Sequence, residues 1–329
     1  MSNRCILVTG GSGFIGVHLV ANLLERRHKV VNLDINPPID NLHLENWVNE
    51  SVLNFYELEK LHESHQFTDI VHLAAVAIQD ANSLDDFEVN LKGTRNIIEI
   101  CNKYPEISKV IFTSTQYVNL PGLNPPVKLD DYVPFGYYGK SKLIGELDVH
   151  DDLKNTNWTI IRPTAIWGCF HPVLVDGLWF QIYKGRYLHP SRDHAVKPYG
   201  YVKNTVWQIA EILDIHPNET KFKTFYLADS LLSQKIWVQA FVDSLGARYR
   251  EVPRLLLFLL SKFGDLMKSV NLNFPLYSSR YNNLIRSNPI EISPIVKLLG
   301  KPPFEFEDGV SEVRKWLKDE KWSSGKPDV

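Results

Sequence analysis

The chain has 329 residues, 44% of them hydrophobic and 22% charged, which is enough for two domains or one elaborated domain. Its formal charge of −2, with no apparent lysine/arginine cluster, argues against general affinity for nucleic acid or an anionic membrane. No apolar run is long enough to cross a bilayer, and the strand signal begins within a few residues of Met1, so neither a transmembrane segment nor a signal peptide is expected. Cys5, Cys101 and Cys169 are far apart and lack metal-ligand spacing; buried, reduced thiols in a cytoplasmic protein without a bound metal are expected.

Cys5 to Val8 reads as a buried strand and runs into Gly10, Gly11, Ser12 and Gly13. A helical pattern follows, with Ile15, Leu19, Val20, Leu23 and Leu24 on one face. Gly10, Gly13 and Gly16 suit a tight turn, a close approach to a pyrophosphate and close helix–strand packing. The diphosphate would sit on the free amides at the helix start. A second strand, Lys29 to Leu33, ends at Asp34, 18 residues after Gly16, where a carboxylate can accept hydrogen bonds from ribose hydroxyls.

Asp69 to Leu73 reads as the third strand and leads into Ala74 and Ala75, small enough for a dinucleotide to lie near the backbone. A long helix is expected over Asp85 to Tyr104, then a fourth strand, Lys109 to Thr113, ending in Ser114, Thr115 and Gln116. After a proline-rich loop, Pro121 to Pro134, come a helix over Tyr137 to Asp152 and a fifth strand, Trp158 to Arg162. The alternation predicts an α/β fold, a doubly wound parallel sheet of Rossmann type, with ligands beyond the carboxyl ends of the strands. Past Gly168 it weakens: Phe170 to Arg192 is mixed, Tyr199 to Asp214 reads as a strand and helix returning to the sheet, and Lys223 to Ala228 as a further strand. Ser233 to Leu245, Pro253 to Lys268 and Val310 to Lys318 read as helices. Residues 1–169 with about 195–229 form the expected nucleotide-binding domain; about 170–194 with 230–329 form a smaller, mostly helical substrate domain.

Tyr138 and Lys142 lie four apart on a predicted helix and share a face. An ammonium beside a phenol lowers the phenol's pKa, and a phenolate can act as general base toward an alcohol. Thr115 or Ser114, ending the preceding strand, could bond the same substrate oxygen. Tyr137 is a rival base, but its i+4 partner is Ser141.

These residues carry a resemblance to the extended short-chain dehydrogenase/reductases of the NAD-dependent epimerase/dehydratase group. The matches are Thr9-Gly-Gly-Ser-Gly-Phe-Ile-Gly16, Asp34, His72-Leu-Ala-Ala75, Asn90 with Gly93-Thr-Arg-Asn96, Phe112-Thr-Ser-Thr115, Tyr138-Gly-Lys-Ser-Lys142 with Glu146, and Arg162-Pro-Thr-Ala-Ile-Trp-Gly168. The resemblance implies a bound NAD contacted by Gly10, Gly13, Phe14, Ile15, Gly16, Asp34, Val52, Leu73, Ala74, Ala75, Asn90, Tyr138, Lys142 and Pro163. It implies Tyr138 as base, Lys142 as its electrostatic partner and ribose anchor, and Thr115 as the hydroxyl bridging substrate and tyrosine. Ile35 and Asn36 after Asp34, in place of an arginine, favour NAD over NADP. Family members often dimerise through the helices bearing Asn90 and Tyr138, so a homodimer is expected.

At the substrate end the chain departs from the nucleotide-sugar enzymes of the group. Ala165 stands for their asparagine, Lys197-Pro198 for Arg-Asp, and Asn204 for an acid; Ser51 precedes Val52 where an acid is usual. Lys197 and Arg280 remain candidates for a diphosphate. The wording around Arg162 and Tyr201 is similar to two branches: surface-polysaccharide epimerases, including those acting on polyprenyl-diphosphate sugars, and 3β-hydroxysteroid dehydrogenase-like enzymes. The resemblance therefore implies either a sugar epimerase or a net dehydrogenase or reductase of a sugar or sterol-like alcohol, with a non-catalytic NAD-binding protein as a third reading. The apolar stretch Val252 to Gly264 reads as core packing or as a contact with lipid.

Overall fold

Every side chain of Cys5–Thr9 is buried, so this strand, β1, lies inside the sheet and not at its edge. A computed structural model describes residues 4–78, 81–122, 130–270, 272 and 274–322. The proline-rich stretch Pro121 to Pro134 thus lies partly outside the described residues. The remaining strands are β2 (Lys29–Asp34), β3 (Trp47–Asn49), β4 (Asp69–His72), β5 (Lys109–Thr113), β6 (Asn157–Pro163), β7 (Ala165–Trp167), β8 (Leu188–Pro190), β9 (Val196–Tyr201), β10 (Lys223–Leu227), β11 (Ser230–Ser233) and β12 (Arg250–Val252). The longer helices are α1 (Phe14–Glu25), α2 (Phe55–His65), α3 (Thr94–Lys103), α4 (Gly136–Asp152), α5 (Val202–Asp214), α6 (Gln234–Leu245), α7 (Arg254–Ser269), α8 (Ser278–Ile285), α9 (Ser293–Leu299) and α10 (Phe306–Trp316).

Seven strands form one sheet in the order β10-β6-β5-β4-β1-β2-β3, and all pairs are parallel. The order reverses between β1 and β4, where Thr9 lies beside His72, and this is the crevice in which such sheets hold ligands. One face is covered by α2, α3 and α4 through Leu58, Ile97, Ile100 and Val149. The other is covered by α1, α5 and α9 through Leu19, Leu23, Val206, Ile209 and Ile295.

The helix expected from Asp85 to Tyr104 is present as an unbroken helical stretch from Asp85 to Lys103, with a turn of π-helix, Val89–Gly93, that runs directly into α3. The wide turn lets Gly93 press on Val52, where a Cβ would come within 2.8 Å of a valine methyl. The strand ending at Tyr201 does not return to the large sheet; β9 pairs with β7 and β11 in a second, three-stranded sheet, and only α5 goes back to cover the first. An aromatic core stabilises that second sheet, with Trp167, Tyr201, Trp237, Phe241 and Trp316 all buried.

Candidate active site

The turn after β1 is shaped by contacts that leave no room for a side chain. Gly10 has φ +71°, and a Cβ there would lie 2.6 Å from the Ala74 amide nitrogen. At Gly16 a Cβ would meet the Gly10 carbonyl oxygen at 2.2 Å, so α1 can start this close to the turn only with glycine. Gly13 caps α1 with an extended backbone, is exposed, and leaves the first amides of the helix open at the crevice.

Asp34, at the end of β2, accepts from the Ser12 amide at 3.1 Å and the Asn36 amide at 3.0 Å. It ties the turn to the second strand and keeps its carboxylate at the rim of the crevice. Leu73 and Ala74 are half-buried and Ala75 is exposed, forming the wall opposite α1. Phe14, Ile15 and Pro163 are half-buried, and Val52 is buried against Gly93 with its carbonyl held by Asn96 at 2.9 Å. These features fit a dinucleotide: amides at a helix start for the diphosphate, a carboxylate for ribose hydroxyls, and a small-residue wall. Asn90, expected at the cofactor, also has a bracing part. It is buried, exchanges hydrogen bonds with the Val76 backbone at 2.8 and 3.0 Å, and donates to Ser141 at 2.9 Å, so it braces the wall against α4.

The catalytic candidates meet at the end of β5. Thr115, and not Ser114, is the hydroxyl that acts on the Tyr138 phenol, holding its pKa down against burial. Ser114 instead lines a small cavity with His72, Asn90 and Lys142. Tyr137 is 43% exposed, whereas Tyr138 is half-buried beside the rings of Phe87 and Tyr117. Lys142 is buried one turn along α4.

The electrostatics differ from expectation in one respect. The Tyr138 phenol is not lowered but pushed up to about 12; burial dominates, and the Thr115 hydrogen bond opposes it. Lys142 is pushed down to about 8 by burial, with Glu146 acting against the shift. Burial sets the direction of both shifts. His72 is held at about 3, first by burial and then by Lys142, so it is neutral. Its ring joins Thr9 at 2.7 Å to Thr94 at 3.3 Å, bracing the switch point.

Three contributions were not legible from motifs. Gln116, next to Thr115, accepts from Asn288 at 2.8 Å, so the C-terminal part of the chain docks at the end of β5. Glu146 and Arg162 form a fully buried ion pair with contacts of 2.6 and 2.9 Å, tying α4 to β6. Asn204 donates to Asp229 at 3.0 Å and to the Phe304 carbonyl at 2.9 Å, a clamp and not a lost acid. Lys197 donates to the Asn283 carbonyl at 2.6 Å, and Arg280 stacks on Tyr277 at 4.7 Å. Asn283 and Arg280 are three apart on α8, so the two predicted cations gather on one helix.

The family described as NAD dependent epimerase/dehydratase matches residues 6–184. The chain is 31% identical over 194 residues to the sterol-4-alpha-carboxylate 3-dehydrogenase, decarboxylating, of Bos taurus; the match covers 56% of this chain and 52% of that protein. It is 31% identical over 184 residues to the bifunctional UDP-glucose 4-epimerase and UDP-xylose 4-epimerase 3 of Arabidopsis thaliana, covering 47% and 50%. The chain thus spans about half the length of these curated relatives. Among solved structures, the UDP-glucuronic acid 4-epimerase of Bacillus cereus, crystallised with UDP-glucuronic acid and NAD, superposes with a TM-score of 0.75 at 20% identity, covering 95% of this chain and 99% of that one.

Proposed function

The chain belongs to the NAD-dependent epimerase/dehydratase family, a family of enzymes, and we propose that it is a sugar epimerase working by transient oxidation. The carrying observation is the placement of the Thr115 hydroxyl, at the end of β5, where it acts on the Tyr138 phenol, with Lys142 buried one helical turn away. Thr115 holds the sugar hydroxyl, and Tyr138 removes its proton as the carbon is oxidised. The Lys142 ammonium would stabilise the Tyr138 phenolate before it takes the proton and becomes a neutral phenol, and would anchor the cofactor ribose. Bound NAD supplies the hydride acceptor, and then the donor when the reaction reverses. The keto intermediate turns over in the cleft, and Tyr138 returns the proton to the alkoxide formed on the other face.

The substrate is a sugar on a diphosphate carrier, nucleotide or polyprenyl, used in surface-polysaccharide synthesis. Lys197 receives the diphosphate as a point charge and Arg280 as a fork, both from the α8 side. Exposed Leu147 on α4 supports a homodimer through α3 and α4. The similarity to the bovine sterol dehydrogenase favours a second reading, a net dehydrogenase of a sugar or sterol-like alcohol. A non-catalytic NAD-binding protein would not need Thr115, Tyr138 and Lys142 together.

The cofactor balance separates these readings. UDP-hexoses and polyprenyl-diphosphate sugars are incubated with the enzyme while sugar composition and absorbance of reduced nicotinamide are followed. An epimerase interconverts the sugars with no net change in reduced cofactor. Reduced cofactor accumulating in proportion to product would establish the dehydrogenase instead.

A further inference from the structure

The helix α7, Arg254–Ser269, turns its apolar face the wrong way for a core element. Only Leu257, Ser261 and Gly264 are buried, and they fall on one stripe at i, i+4 and i+7. That stripe is firmly seated: a Cβ on Gly264 would strike the Leu276 carbonyl, Phe258 meets Tyr281 at 5.9 Å, and Asp265 accepts from the Ser278 amide at 2.9 Å. The opposite face carries Leu255 (68% exposed), Leu259 (55%), Phe263 (48%) and Leu266 (58%), continued by Val270. A docked helix that leaves a row of large apolar side chains in water marks an interaction surface.

Charge decides what the surface fits. From Arg248 to Arg286 the chain carries seven lysines and arginines against two acids, Glu251 and Asp265, a local excess of +5 in a chain of formal charge −2. The sequence-wide balance hides this segment. A second copy of the same face would bring +5 against +5, so self-association through it is opposed. Sixteen residues at 1.5 Å each make a helix of about 24 Å, and no helix among the described residues is long and apolar enough to cross a membrane. An exposed apolar stripe within a basic segment, on a helix too short to span a bilayer, is the pattern of an interfacial anchor.

We propose that the Leu255–Leu259–Phe263–Leu266 face of α7 seats on an anionic lipid bilayer, drawn there by the basic excess of its segment. The α7 helix packs on α8, which bears Arg280 and receives Lys197, so docking brings the substrate end of the cleft to the lipid surface. The proposal concerns the surface alone and stands whether the reaction is an epimerisation or a net oxidation.

The test is flotation of the full chain, loaded with NAD, on vesicles of phosphatidylcholine alone and of phosphatidylcholine with an equal part of phosphatidylglycerol. Binding is expected to the mixed vesicles and to weaken as salt is raised. The double variant Leu259→Glu/Leu266→Glu should lower the bound fraction by about tenfold or more while retaining NAD binding. Should that variant fail to fold, Leu255→Asp at the most exposed position carries the same test. Absence of binding to the mixed vesicles, binding that the substitutions leave unchanged, or a wild-type oligomer that they convert to monomer without any vesicle binding would overturn the proposal.

Discussion

Lys142 is buried against the inner side of α4, and burial brings its pKa down to about 8 from the ordinary 10.5. The unfolded chain therefore keeps this proton at pH values where the folded chain releases it. Stability gained by the folded state rises from pH 8 to 10.5, and below pH 8 the native protein holds a desolvated ammonium. Replacing the ammonium by an apolar chain of similar length removes that cost. Lys142→Met is expected to be more stable than the parent at pH 7 by up to about 3 kcal/mol, to lose the advantage as pH approaches 10.5, and to be inactive. Denaturant titrations at several pH values check this; a variant no more stable at pH 7 would contradict it. Thr115, Tyr138 and Lys142 were legible because each sits at a position defined by local spacing, a strand end or a helix face. The direction of the Tyr138 shift was not, since it depends on how many atoms surround the phenol, which spacing does not report. Gln116 and Asn288 lie 172 positions apart, and no periodicity links them.

At the scale of elements, the position of α4 relative to the sheet sets the position of Tyr138 and Lys142. The Glu146–Arg162 pair fastens that helix to β6, and the Tyr226 hydroxyl accepts from Arg162 at 3.1 Å. Removing one partner leaves an uncompensated buried charge. Glu146→Ala is expected to destabilise by on the order of 3–5 kcal/mol, and Glu146→Gln by less, in thermal or urea unfolding. An alanine variant of near-parental stability would show that the pair does not fasten the helix. The parallel strands β1, β2, β4, β5 and β6 were readable because each is a short apolar run ended by small or polar residues, whereas β3, three residues at the sheet edge, was not. β9 misled because a strand whose last four residues are all buried suits either sheet, and pairing with β7 and β11 is a long-range choice. The stretch over α7 was left with two readings for another reason: hydropathy gives its apolar content, but only the packing of Gly264 on the Leu276 backbone reveals which face is turned outward.

For the whole molecule, the two halves divide the work. The seven-stranded sheet places the candidate cofactor crevice at the β1–β4 reversal and, at the end of β5, the candidate catalytic Thr115. The aromatic core around Trp167 and Trp237 supports the second sheet, and the α7–α8 pair brings positive charge toward the substrate side. The glycine turn, Asp34 and the Thr115–Tyr138–Lys142 set explain why the nucleotide end of the molecule was legible. The substrate end is built from contacts between distant segments, Lys197 to Asn283 and Asn204 to Phe304, which no motif encodes. The account stands on Tyr138 as the group that moves the substrate proton. The direct measurement is turnover and NAD binding of Tyr138→Phe beside the parent enzyme, using the sugar that the parent interconverts. NAD binding should be unchanged and turnover lower by about 100- to 10,000-fold, the usual contribution of a positioned acid–base group. Turnover near the parental rate would contradict the account and move the base elsewhere.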